Sequence, residues 1–237
     1  MHSEIKPIRD PAHEAFMRHV IPFAVWLLLM AGLGAPAGWK YAVRVVVALG
    51  ALLVLRPFRD YTPPRIKNLP LALVAGVAVF AIWVVPEMGG AGPWAALSDF
   101  YLKYAVLPFG RIPAVPTPPP YAPEVCGWPL ALVRLAGSAF VIAVIEEFFW
   151  RGLIYRRLTA RDFLAVDPGV FHAGAFLATM LCFGFEHDRW LAGALAGAVY
   201  GWIYLRTRDI WAACLAHVVT NLLLGLYVLA VGAYAFW

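Results

Sequence analysis

Residues 128–151 read WPLALVRLAGSAFVIAVIEEFFWR, and this stretch decides the fold. Positions 128–150 are long enough to cross a hydrocarbon layer as one helix, since a core about 30 Å thick needs roughly 20 apolar residues. Yet the run closes on two adjacent carboxylates and an arginine. Working outward, further apolar runs lie at 20–38, 39–55, 69–86, 168–187, 190–205 and 210–237. The last is long enough for one tilted span or for a span plus a short return. The whole chain of 237 residues is 62% hydrophobic and only 14% charged, with a mean hydropathy of +0.74. Soluble domains average about 45–50% apolar and about 25% charged, so a water-soluble core and a disordered chain are both excluded. The expected fold class is all-α: a polytopic integral membrane helical bundle of seven transmembrane helices, with eight as the alternative.

The net charge of +5 belongs to orientation. Arg56, Arg59, Arg65 and Lys67 follow the second run, Arg156, Arg157 and Arg161 the fourth, and Arg206 and Arg208 the sixth. With seven spans these connectors fall on one side, together with Lys6, Arg9 and Arg18 before the first run. Lys and Arg concentrate in cytoplasmic loops, which predicts a cytoplasmic N-terminus in a cell inner membrane. The first run reads as a retained span, because Gly32-Leu33-Gly34-Ala35-Pro36 is a poor cleavage context for a signal peptide. No basic face with interleaved aromatics appears, so no nucleic acid is expected as a partner. Cys126, Cys182 and Cys214 have no paired spacing, which argues against a disulfide framework or a thiolate metal site.

Three regions follow. Residues 1–111 hold three spans and an interfacial segment, Trp94–Leu107, with Trp94, Tyr101 and Tyr104 suited to headgroup level. Residues 112–127 form a proline-rich connector of extended geometry. Residues 128–237 form a C-terminal core that carries nearly all the polar residues of interest. Within that core Gly193, Gly197 and Gly201 recur every four positions, a spacing that lets helices approach closely in lipid. This stripe is expected to pack helices.

Ionisable groups inside a span cost about 2.5–3.5 kcal/mol each on insertion scales and mark function by default. Glu147 and Arg151, four apart, can pair along one helix face, while Glu146 points about 100° away. Phe183-Gly-Phe-Glu-His187 ends the fifth run, and His217 and Asn221 share a face of the last. A glutamate and a histidine converging on one water suit general base and then general acid chemistry. A second histidine and an amide donor suit an oxyanion. No Ser or Cys has an adjacent base, so an acyl-enzyme is not favoured. Zinc held by Glu146, His187 and His217 is the competing chemistry, although the ligands are scattered and no His-Glu-x-x-His run occurs. No cofactor is otherwise expected.

The patterns Glu146-Glu147…Arg151, Phe183…His187 and His217…Asn221 occur in this order on separate helices. With the glycine-rich helix and the Tyr204-Leu-Arg-Thr-Arg-Asp-Ile-Trp211 connector, residues 128–225 resemble the CAAX prenyl endopeptidase and bacteriocin-processing (CPBP, or ABI) intramembrane proteases. The N-terminal half is similar to a bacterial branch linked to exosortase and PEP-CTERM sorting systems. The resemblance implies a glutamic intramembrane endopeptidase acting on a membrane-associated or lipidated protein, with membrane lipid and an exosortase-type sorting system as partners. By motif position Glu146 is implied as general base working with His187. His217 and Asn221 are implied as the oxyanion hole, with Glu147 and Arg151 supporting the site. Some relatives serve as self-immunity proteins or membrane scaffolds without known protease activity, so a non-catalytic membrane partner is the alternative.

Overall fold

The computed structural model describes residues 11–89, 93–109 and 114–237. Among them every regular element is helical. The helices are α1 (Pro11–Gly32), α2 (Gly38–Leu55), α3 (Leu69–Val84), the shorter α4 (Pro93–Tyr104), α5 (Trp128–Thr159), α6 (Ala173–Phe185), α7 (Trp190–Thr207) and α8 (Ile210–Val231). Five of them, α1, α2, α3, α5 and α8, are long and apolar enough to cross a membrane, α2 and α3 being prolonged by flanking turns to Gly38–Asp60 and Ile66–Glu87. The chain is a helical membrane bundle. All seven expected runs are helical, but α6 has only 13 residues.

Helix boundaries move for local reasons. The first run, expected over 20–38, is helical from Pro11, a residue suited to the first turn because it needs no backbone donor there. It stops at Gly32, ahead of a turn in which Gly34 adopts φ +67°. The fourth run continues past residue 150 to Thr159. The fifth loses its first residues, because Pro168 and Gly169 form a turn and the helix starts only after His172. The last ends at Val231, where Gly232 takes φ +72°, and a short return follows as the turn Tyr234–Phe236. The interfacial segment is α4. Lys6, Arg9, Ile112 and Pro113 lie outside the described residues.

Hydrogen bonds gather the basic connectors at one end of the bundle. The Asp209 carboxylate accepts from Trp211 N at 3.0 Å, which caps α8. It also accepts from Arg65 N at 3.0 Å and Asn68 Nδ2 at 2.9 Å, which ties in the start of α3. Arg18 pairs with Asp60 at 3.1 Å, and Trp211 Nε1 donates to the Thr62 carbonyl. Asp209 is buried. Asp209→Ala is therefore expected to cost about 2–3 kcal/mol, one cap plus two orphaned donors. Thermal unfolding of the purified protein checks it, and an unchanged midpoint would contradict the role.

The bundle closes around α8. At Gly76 an added methyl would stand 2.6 Å from the Ala216 carbonyl, so α3 and α8 touch backbone to backbone. There Thr220 Oγ1 lies 2.9 Å from the Gly76 carbonyl. The glycine stripe of α7 faces α6: a methyl at Gly193 would meet the Gly184 backbone at 3.1 Å, and one at Gly197 the Met180 backbone at 3.3 Å. Small residues thus bring α6 and α7 close. The N-terminal helices complete this packing, with α1 against α2 and α5, and α3 against α7 and α8.

Candidate active site

Helix α5 is not uniform. Gly137–Ile142 and Phe148–Tyr155 are wound with i to i+5 hydrogen bonds, the first shown by Ala143 N–H bonding the Ser138 carbonyl. Such wide turns often mark functional sites. Between them sits an ordinary helical turn, Ala143–Glu147, that carries both glutamates.

Glu147 is wholly enclosed. Its Oε1 accepts from Arg151 Nη1 at 2.9 Å and faces His217 Nδ1, also at 2.9 Å. Arg151 Nη2 donates to the Gly197 carbonyl at 3.0 Å, and its guanidinium lies 4.5 Å from the Phe183 ring centre. A methyl at Gly197 would meet Met180 and the Phe183 ring at 3.3 Å, so the glycine sets α7 close to α6. The i, i+4 pair read from sequence is therefore present, and it links α5, α7 and α8.

His217 stands between the two carboxylates. With Nδ1 bonded to Glu147, its Nε2 faces Glu146 Oε2 at 3.7 Å. The imidazole is stacked on Tyr200, 4.7 Å between ring centres. Tyr200 in turn donates to Thr220 Oγ1 at 2.7 Å, so the ring orientation is fixed from both sides. Glu146 makes no hydrogen bond among the described residues and projects into a cavity of about 560 Å³.

His187, half-buried, lines the same cavity. Its Nδ1 lies 2.8 Å from the Phe183 carbonyl. A carbonyl can only accept, so Nδ1 carries the proton and Nε2 keeps a lone pair. Phe183 packs against the rings of both His187 and His217, at 4.9 and 5.7 Å. Asn221 also lines the cavity, and its Nδ2 donates to the Ser138 carbonyl at 3.0 Å. One amide hydrogen of Asn221 is thus engaged and the other is free to serve.

All six predicted polar residues belong to this one assembly: Glu147, Arg151 and His217 by direct contact, Glu146, His187 and Asn221 by sharing the cavity. The glycines Gly193, Gly197 and Gly201 stand behind it in the α6–α7 contact. Among the described residues no three His, Cys, Asp or Glu side chains form a group able to hold a metal ion. Of the zinc set weighed from sequence, Glu146 and His217 approach to 3.7 Å and His187 lines the same cavity. Sequence reasoning missed Glu186, whose Oε2 accepts from Trp150 Nε1 at 2.9 Å at the cavity wall. The signal was present, since Glu186 is as anomalous in its apolar run as the histidine beside it. Tyr200 was missed because nothing in a sequence marks which aromatic will stack on a histidine.

Residues 128–223 match the family model of the type II CAAX prenyl endopeptidase, Rce1-like. No curated protein and no solved structure matches the chain significantly. The matched segment begins with the first residue of α5 and contains all six polar residues of the assembly. In residues 128–223 the chain is thus similar to the CAAX prenyl endopeptidases, a family of peptidases, and it carries this likeness on the helices of a membrane bundle.

Proposed function

We propose that the chain is a glutamic endopeptidase in which Glu146 activates the attacking water. The observation that carries this reading is the contrast between neighbouring carboxylates. Glu147 is enclosed and committed to Arg151 and His217, whereas Glu146 faces the cavity with no hydrogen bond of its own. Two carboxylates in unlike surroundings suit two roles. His187 offers an Nε2 lone pair to the same space, so Glu146 and His187 share the water's protons. The tetrahedral oxyanion then takes a donor from Asn221 and one from His217 Nε2. For His217 to donate there it must carry a second proton, and the Glu147 carboxylate at Nδ1 offsets that charge. The site works with no metal, on a membrane-associated or lipidated protein. A sorting system of the exosortase type is a candidate partner.

Orientation follows from charge. The basic connectors cluster at one end of the bundle, which is assigned to the cytoplasmic side of an inner membrane. Gly34, Pro36, Asp188 and Ala235 line the cavity from the opposite end, so substrate enters from the extracytoplasmic side.

Purified protein in lipid, given membrane-derived peptides, is expected to cleave them equally with and without a strong chelator. His187→Ala is expected to lower the rate by about 10²–10³-fold at an unchanged unfolding midpoint. Loss of activity on chelation, restored by zinc, would refute the metal-free chemistry. Full activity in His187→Ala would refute the assigned pair.

A further inference from the structure

His187 reaches the cavity from a turn that is tied down on both sides. The residue before it, Glu186, lines the cavity and accepts at Oε2 from Trp150 Nε1 at 2.9 Å. Two residues after it, the buried Arg189 pairs with Glu87 in the turn that prolongs α3, Nη2 to Oε2 at 2.9 Å. Arg189 Nη1 also donates to the Ala235 carbonyl at 2.9 Å. The imidazole between them bonds back to α6 at the Phe183 carbonyl and meets the Trp83 ring at 5.4 Å. Its neighbours therefore carry the turn's polar ties to other helices, Glu186 toward α5 and Arg189 toward α3.

The α5 end of the Glu186 tie is rigid and close to the chemistry. Trp150 follows Glu146 by four positions, inside the wide turns of Phe148–Tyr155. Its buried indole lies edge-on to Phe23, Phe149 and Phe183, at 6.0, 4.9 and 6.3 Å between ring centres. Three rings thus aim its N–H. Among the described residues no other hydrogen bond joins α5 to residues 173–187. Nor does Glu186 have an ion-pair partner among them. An acid placed in an apolar run is costly. What it adds over an amide is strength, because a charged acceptor makes a hydrogen bond roughly twice as strong as a neutral one.

Resting on the peptidase reading above, we propose that Glu186 and Trp150 are positioning residues for His187. Their hydrogen bond fastens the turn to α5, the helix that carries Glu146, and so sets the His187 Nε2 lone pair where both groups reach one water. Neither touches a reacting atom; both act through His187. The requirement is steep, since a misplacement of about 1 Å can cost 10²-fold in rate.

The test measures turnover of membrane-derived peptides by the whole protein in lipid, beside the thermal midpoint of each variant. Trp150→Phe keeps the ring contacts and removes the donor, and is expected to lower kcat about 10–10²-fold at unchanged KM. Glu186→Leu is expected to do the same. The double variant should be no slower than either, because one bond is lost in all three. Glu186→Gln still accepts through its amide oxygen and is expected to stay within about threefold of the native kcat. In a His187→Ala background Trp150→Phe should cost nothing further. Native kcat in both Trp150→Phe and Glu186→Leu would overturn the proposal, as would an undiminished loss in the His187→Ala background. A Glu186→Gln as slow as Glu186→Leu would also overturn it, since Glu186 would then move protons itself. If Trp150→Phe does not fold, the contrast between Glu186→Gln and Glu186→Leu decides.

Carbethoxylation of His187 by diethyl pyrocarbonate, followed by peptide mass spectrometry, reads the same contact without hydrolysis. A loosened turn opens more often to reagent, so the rate is expected to rise about threefold in Trp150→Phe and Glu186→Leu. The exposed His172 serves as the unchanged internal standard. That rise in a protein that cleaves no peptide would refute the peptidase reading and keep the tie to His187. An unchanged rate beside normal native turnover would refute the tie alone.

Discussion

Glu146→Gln is expected to lower hydrolysis by about 10³-fold, within the range for removing a general base, while the protein still inserts and unfolds at nearly its native temperature. Glutamine keeps the shape. The native carboxylate makes no hydrogen bond among the described residues, so little stabilising contact is lost. This separation of activity from stability is what distinguishes a base from a structural acid. The measurement is turnover beside a thermal midpoint on the same preparation. Native-like turnover in Glu146→Gln would end the glutamic mechanism. The non-catalytic partner reading makes the opposite forecast. Cellular complementation would survive Glu146→Gln and fail when Gly193→Leu forces α7 from the Gly184 backbone.

Arg151→Met is expected to be the most destabilising single change at the site, by about 3–5 kcal/mol, the usual cost of stripping one partner from a buried ion pair. Glu147 would be left enclosed with its charge opposed only by His217, and the Gly197 carbonyl would lose its donor. The pair is already incompletely satisfied, since Glu147 Oε2 and Arg151 Nε are buried without hydrogen bonds. The double variant Glu147→Gln with Arg151→Met is expected to recover part of the loss, because the unpaired charge is gone. Activity should not rise with it, as His217 would then lack the carboxylate at Nδ1. Unfolding of the single and double variants forms the cycle. A shift below about 1 kcal/mol in Arg151→Met would show that the pair does not hold the three helices together.

The sequence made the bundle legible because lipid admits few options: an apolar run of the right length must be helical to satisfy its own backbone. The site was legible for a related reason. Glu146, Glu147, Arg151, His187, His217 and Asn221 are polar where polarity is costly, so each stood out one by one. Less legible was anything that depends on which faces meet. Arg44 and Arg134 look in sequence like residues near helix ends that can reach water. Only the packing of α2 against α5 brings both to Tyr41. The wide turns of α5 have no periodicity of their own. They enlarge the helix where Asn221 reaches the Ser138 carbonyl, and that bond joins residues 83 positions apart. The shortening of α6 was a matter of Pro168 and Gly169, which residue hydropathy averaged over 168–187 conceals.

The brevity of α6 has a consequence outside the protein. Thirteen residues rise about 20 Å, roughly 10 Å less than a typical hydrocarbon core, and His187 lies just beyond the end of that helix. A helix this short is matched to lipid by local thinning of the bilayer or by flanking residues that reach its surface, at a modest cost for each ångström of mismatch. A bilayer matched to α6 would therefore be thinner than average at the histidine end of the site.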